Sequence, residues 1–229
     1  MVRVGSAAQA VARSESISVD GKRRPTTNSA GRLIHQTNSG IRNFWRWFGG
    51  SIAVDAVGRH LVVYHGTPFG DFDVLDPDEA SSNANAVFFT ASRKVAAEFA
   101  TGEGITFEES AKPCPRVYSV YLRIVNPAIF DGDVEDRVGR NALIELATGH
   151  PDTAGGEEEL NSRSVWEWYT EDAGVFSTIK ARHFDGFQCN ERGHPMFAIF
   201  AATQIKSVEN SGMFDTNSPS LRDAQNAAC

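Results

Sequence analysis

Leu61-Val62-Val63-Tyr64-His65-Gly66-Thr67 and, about twenty residues on, Val87-Phe88-Phe89-Thr90-Ala91-Ser92 are the stretches on which the reading of this chain turns. The first is an apolar, β-branched run ending in a histidine, the pattern of a buried strand that offers one imidazole at its terminus. Gly66 has no Cβ, so a ligand can lie against the backbone there. The second run ends in an aromatic pair, a flat wall for a planar ring. Ser92 is a suitable N-cap, and Val95, Ala96 and Phe99 recur at the spacing of one buried helix face, which predicts a helix through Phe99.

Outward from this pair the chain alternates strands and helices. Between them, residues 67–85 are rich in Asp, Ser and Asn, a loop able to act as a lid. Phe44 to Phe48 holds two of the four tryptophans, read either as a docking patch or as a short helix capping the core. Val117 to Ile124 reads as a strand stopped by Asn126-Pro127. Val134–Ala147, Val165–Tyr169 and Val175–Arg182 read as helices, and Phe184–Cys189 and Met196–Phe200 as closing strands. The second closing strand is almost unbroken in its apolar run, as expected of a central position. Residues 1–24 read as a mobile N-terminal arm, 25–212 as one α+β domain, and 213–229 as a polar C-terminal tail.

The chain has 229 residues, 41% of them hydrophobic and 22% charged, the composition of a soluble globular protein. No apolar run reaches the eighteen or so residues of a membrane span. With a net charge of −7, the chain as a whole lacks the basic footprint of a nucleic-acid binder. Three cysteines without CxxC spacing, and histidines without a short ligand spacing, give neither a disulfide framework nor a metal site. His35, His60, His150 and His194 are expected as solvated or locally hydrogen-bonded imidazoles.

Val87 to Ala100 resembles the second signature of ADP-ribosyltransferases of the diphtheria-toxin and poly(ADP-ribose)-polymerase branch, in which an aromatic residue stacks on nicotinamide and a helix follows. The resemblance is closest to the ADP-ribosyltransferase-like domains of phage and prophage polyvalent proteins. It is carried by Phe44 to Ser51, Val54 to Arg59, Tyr64 to Thr67, Asp71-Phe72-Asp73, Gln204 to Ser207 and Phe214-Asp215, in that order. It implies a split, mixed β-sheet with peripheral helices, and NAD+ as substrate. It assigns His65 to a ribose hydrogen bond, Gly66 to a main-chain contact with the nicotinamide amide, and Phe88 to the stacking wall, with Thr67 and Phe89 beside them. Phe88 stands where the family's usual residue is Tyr, so stacking survives and a phenol hydrogen bond does not. Thr90 is read either as a ribose contact or as a strand-end hydroxyl.

The departure lies at the third site. Related transferases carry a glutamate at the start of the strand preceding the Gln-Ile ending, and here that place falls at Pro195-Met196. Glu191, a few residues upstream, is the catalytic candidate. Gln204 is read as a neutral ribose partner or as a tie for the strand end. Two functions follow from the resemblance. One is a mono-ADP-ribosyltransferase that modifies a protein or another nucleophile in phage or pathogen conflict with a host, acting in the cytoplasm or delivered into a host cell as an effector. The other is a degenerate member that binds a nucleotide or a protein without catalysis. The expected partners are NAD+ and a protein target rather than membrane or nucleic acid, and the sequence leaves the oligomeric state open.

Overall fold

The computed structural model describes residues 15–80, 84–102, 113–138, 145, 163–167 and 173–223. Its centre is a seven-stranded mixed sheet. The strands are β3 (Val63–Thr67), β4 (Val87–Thr90), β5 (Arg116–Leu122), β6 (Pro127–Asp133), β9 (Gly186–Glu191), β10 (His194–Ile199) and β11 (Ile205–Ser207). Two short pairs lie outside it, the hairpin β1 (Ser16–Val19) with β2 (Lys22–Pro25) and the pair β7 (Arg137–Val138) with β8 (Arg163–Ser164). The helices are α1 (Asn38–Phe48), α2 (Arg93–Ala100) and α3 (Ala173–Ala181). The sheet runs β11-β5-β3-β4-β10-β9-β6, antiparallel except for the parallel β6–β9 pair. This is the α+β class expected from the sequence, and β10 lies inside the sheet between β4 and β9.

Pleating sorts the side chains onto two faces. Val63, Val87, Phe89, Val120, Leu122, Phe197, Ile199 and Ile205 form the core on one face. On the other face Ala198, Met196, Phe187 and Cys189 pack with Val175, Phe176 and Ile179 of α3, and Phe88 joins them. A third cluster gathers the α1 residues Ile41, Phe44, Trp45, Trp47 and Phe48 around Val62, Tyr121 and Phe214. Phe44 to Phe48 is therefore core, held by a helix that Thr37 caps through Gly40 N. α2 begins as expected: the Ser92 side chain accepts from Val95 N, and Val95, Ala96 and Ala100 are buried.

Several expectations need correction. Of residues 1–24, assigned by sequence to a mobile arm, 16–24 belong to the β1–β2 hairpin, which ends at Pro25, whose carbonyl accepts from the Trp45 indole. The tail after Gly212 buries Phe214 and Leu221, because Lys206 lies fully inside the fold and donates to Asp223, Ser218 O and Ser220 O. Val134 does not open a helix. The Asp136 carboxylate accepts from Asp133 N, closing a turn that leads into β7; residues 139–144 and 146–147 lie outside the described residues. Of the expected helix at 165–169, residues 168 and 169 likewise lie outside them. The front of the loop after Thr67 is tied down: Asp71 N and Phe72 N both donate to the Tyr118 hydroxyl, and Leu221 N donates to Asp73 O.

Candidate functional site

The sheet is split where the two signature strands meet. β3 pairs with β5 over five residues and β4 with β10 over four, but β3 and β4 pair only at Tyr64↔Thr90. Beyond that point no ladder joins His65-Gly66-Thr67 to Phe89-Phe88-Val87. The imidazole of His65 bridges the opening, with Nδ1 2.8 Å from Phe88 O. A carbonyl oxygen only accepts, so Nδ1 carries the proton and donates. Burial pulls the pKa of His65 below its ordinary value, and the hydrogen bond to Phe88 only partly opposes this. The ring is therefore neutral at pH 7, and Nε2 keeps a lone pair for an external donor.

The register decides what shares a face with His65. Tyr64 opposes Thr90, so His65 falls opposite Phe89, and their ring centroids are 5.6 Å apart. Tyr118 is its cross-strand partner on β5 and Phe72 stacks beyond Tyr118. Sequence reading missed Tyr118, although its alternation with Val120 along β5 was the available signal. The Phe88 side chain lies on the opposite face, 5.2 Å from Trp166 and 6.3 Å from Phe176. His65 and Phe88 thus meet through the Phe88 carbonyl and not as two side chains facing one cleft, as the sequence suggested; a strand's period of two forbids that for this register.

Gly66 is required for a reason the sequence did not show. A Cβ there would stand 1.7 Å from Ala96 O and 3.0 Å from Ala100 N, so α2 already fills the space in which a ligand was expected to approach. Thr67 closes a local turn, its hydroxyl accepting from Phe69 N and donating to Phe69 O. Thr90 is buried and its hydroxyl accepts from Ser92 N at the start of α2. Gln204 donates from Nε2 to Arg123 O and Asp185 O, tying the start of β11 to neighbouring loops.

Glu191 ends β9 opposite His194 and is 8% exposed. Burial raises its pKa, Arg192 opposes the rise, and Asp133, Glu135 and Glu98 add to it. The pleat places it on the face of Cys189, Met196, Thr90 and Phe88. β4 and β10 separate β9 from β3, which at about 4.8 Å per strand is roughly 14 Å. β10 carries no carboxylate, and Met196, directly opposite Thr90, is buried. His60 departs from its expected solvated state. It is fully buried among Phe44, Trp45, Phe48 and Tyr121, and neither ring nitrogen has a hydrogen-bond partner among the described residues. His35 behaves as expected, with Nδ1 bonded to Thr37, and His150 lies outside the described residues. No helix among the described residues is long and apolar enough to cross a membrane.

A mixed sheet of this order, opened between a His-Gly-Thr strand and an aromatic strand that feeds directly into a helix, is an ADP-ribosyltransferase-like core. The family model described as ADP-ribosyltransferase in polyvalent proteins matches residues 55–214, and the chain belongs to that family. No curated protein and no solved structure matches it.

Proposed function

We propose that the chain binds NAD+ at the split between β3 and β4 and transfers ADP-ribose from it to a nucleophile. The observation that carries this reading is the bridged opening itself: a neutral imidazole whose Nδ1 proton is engaged by Phe88 O and whose Nε2 can accept from a ribose hydroxyl. Family membership supplies the class of reaction. In that reaction the bond between nicotinamide and ribose breaks with its electron pair going to nicotinamide. The ribose carbon, positive as the bond opens, is captured by the acceptor, which gives up its proton. Tyr118, only partly buried, supplies aromatic surface on the His65 side, whereas Phe89 beside the ring is buried core. Glu191, proposed from the sequence as the carboxylate that faces the growing positive charge, stands three strands from β3 on the opposite face of the sheet, out of reach of a ribose held by His65. The acceptor is proposed to be a protein side chain in a host target.

A second reading is favoured by one specific observation. Met196 occupies the position where a related transferase carries its carboxylate, and Glu191 sits on the far side of the sheet from the His65 ring. On that reading the domain binds a nucleotide without turnover. Titration of the protein with NAD+, followed by mass detection of released nicotinamide, separates the two. Binding with release supports transfer, binding without release selects the second reading, and no binding at all removes both.

A further inference from the structure

Away from the split, the β1–β2 hairpin and the turn at Val57-Gly58-Arg59 border an open hollow of about 540 Å³ lined by Glu15, Arg23, Arg24, Pro25 and Arg59. The three guanidinium groups are held differently. Arg23 bonds the neutral Ser16 hydroxyl through Nε and Nη2, which leaves its charge unbalanced. Arg59 is anchored through Nε alone to Asp55 at 2.8 Å, and its two terminal amino groups have no acceptor among the described residues. Arg24 is half-buried, with Cζ 4.8 Å from the Trp45 ring centroid, and has no hydrogen-bond acceptor among the described residues. A guanidinium offers five donors in a planar fork, and leaving them all unmet in a partly desolvated place is costly unless water or an anion fills the gap. The contact with Trp45 engages the face of the indole and uses none of the N–H groups of that fork.

The wider charge distribution points the same way. Residues 15–60 carry seven Lys and Arg against three Asp and Glu, whereas residues 61–229 carry thirteen against twenty-six. On an acidic chain, residues 15–60, which supply the lining of the hollow, thus carry a net positive charge, and its field draws anions toward them. Three guanidiniums against Glu15 in the lining and the Asp55 paired with Arg59 leave a net positive charge, which suits an anion such as a phosphate monoester, itself about −1.5 to −2 at pH 7.

We propose that this hollow is a second binding site, specific for a phosphate-bearing small ligand, in which Arg24 is the fixed bidentate donor and Arg23 and Arg59 complete the anion shell. It goes beyond the transferase reading and does not depend on it. The test is isothermal titration of the full chain with inorganic pyrophosphate and with AMP, using adenosine as the phosphate-free control. Both phosphate probes are expected to bind and adenosine not. Affinity should fall as salt rises, and Arg24→Gln should weaken binding at least tenfold while His65→Ala leaves it unchanged. A preference for AMP over pyrophosphate assigns the phosphate to a nucleotide, and the reverse assigns it to free polyphosphate. Arg23→Gln, at an exposed position that leaves the core untouched, should also weaken binding and serves if Arg24→Gln does not fold. Absence of binding by both probes, equal affinity in the folded arginine variants and wild type, or loss of binding in His65→Ala but not in the arginine variants overturns the proposal.

Discussion

His60 should make the protein acid-sensitive, and replacing it with phenylalanine should remove most of that sensitivity. The imidazole is fully buried in a cage of Phe44, Trp45, Phe48 and Tyr121, and burial, with Asp55 and Arg59 acting in opposite senses, drives its pKa down to about 3. In the unfolded chain the ring titrates near 6.5. The folded pKa lies below the unfolded one, so between these values the unfolded state binds a proton that the folded state refuses. Stability therefore falls as pH drops from about 6.5 toward 3 and is fully retained above 6.5. Integrating over the interval from pH 7 to pH 4.5 gives a loss of about 2.5 kcal/mol from this one residue.

Urea denaturation of wild type and His60→Phe at both pH values isolates the effect, because every other titrating group contributes alike to the two proteins. The expected difference between the two pH-dependent losses is about 2.5 kcal/mol. At pH 7 the variant should match or exceed wild type, since phenylalanine fills the cage and removes two buried nitrogens that lack partners among the described residues. An equal loss on acidification in both proteins would refute the reasoning and mean that the cage opens to admit a proton at little cost.

Four further outcomes follow from the geometry. His65→Ala should weaken NAD+ by about 1 kcal/mol or more in a binding titration, the value of one hydrogen bond, and unchanged affinity would place the nucleotide elsewhere. Phe88→Ala should lower thermal stability by about 2–3 kcal/mol, because its ring packs on Phe176 and Trp166; a variant as stable as wild type would contradict that packing. Gly66→Ala should destabilise more than Gly193→Ala loses through its φ of 77°, since Ala96 O stands in the way of the new Cβ while nothing lies near Gly193; calorimetric melting gives the order. Asp223→Asn should cost about 3–5 kcal/mol by stranding the Lys206 ammonium inside the fold, whereas Lys206→Met should cost less in the same denaturation assay.

Much of the sheet was legible because β-branched and aromatic runs of four to seven residues, bounded by Gly, Pro and Asn, leave few alternatives. β3, β4, β5, β9 and β10 all lie within a few residues of where the sequence put them. The hairpin at residues 16–25 was not legible. Its Lys22-Arg23-Arg24 stretch reads as solvated arm, and only the packing of Arg24 on Trp45 and the bond from the Trp45 indole to Pro25 O give that charge a place in the fold. The tail reads as polar for the same kind of reason: the burial of Lys206 depends on acceptors at Ser218, Ser220 and Asp223 that no local pattern reveals. At the candidate site, the strands and their order were readable. Which of two adjacent phenylalanines faces His65 was not, because one residue of register exchanges Phe88 for Phe89.

The His65 bridge also bears on how prepared the site is before any ligand arrives. Where β3 and β4 part, the backbone of β4 loses its ladder partner, and a buried carbonyl left unmet costs about 1–3 kcal/mol. The Nδ1 proton of His65 meets the Phe88 carbonyl and offsets that loss. The same bond fixes the tautomer and the orientation of the ring, so Nε2 presents its lone pair with no rearrangement and Nδ1 need not leave its partner for Nε2 to take a ribose hydroxyl. Replacing the imidazole therefore removes two things at once: a ligand acceptor and the lock on the opening. Glutamine in its place restores one donor to Phe88 O without the rigid ring, so His65→Gln should recover stability lost in His65→Ala while leaving NAD+ affinity low. If stability and affinity recovered together, the bridge would be no more than a strand tie, and recognition of the ribose would have to lie with other residues of the split.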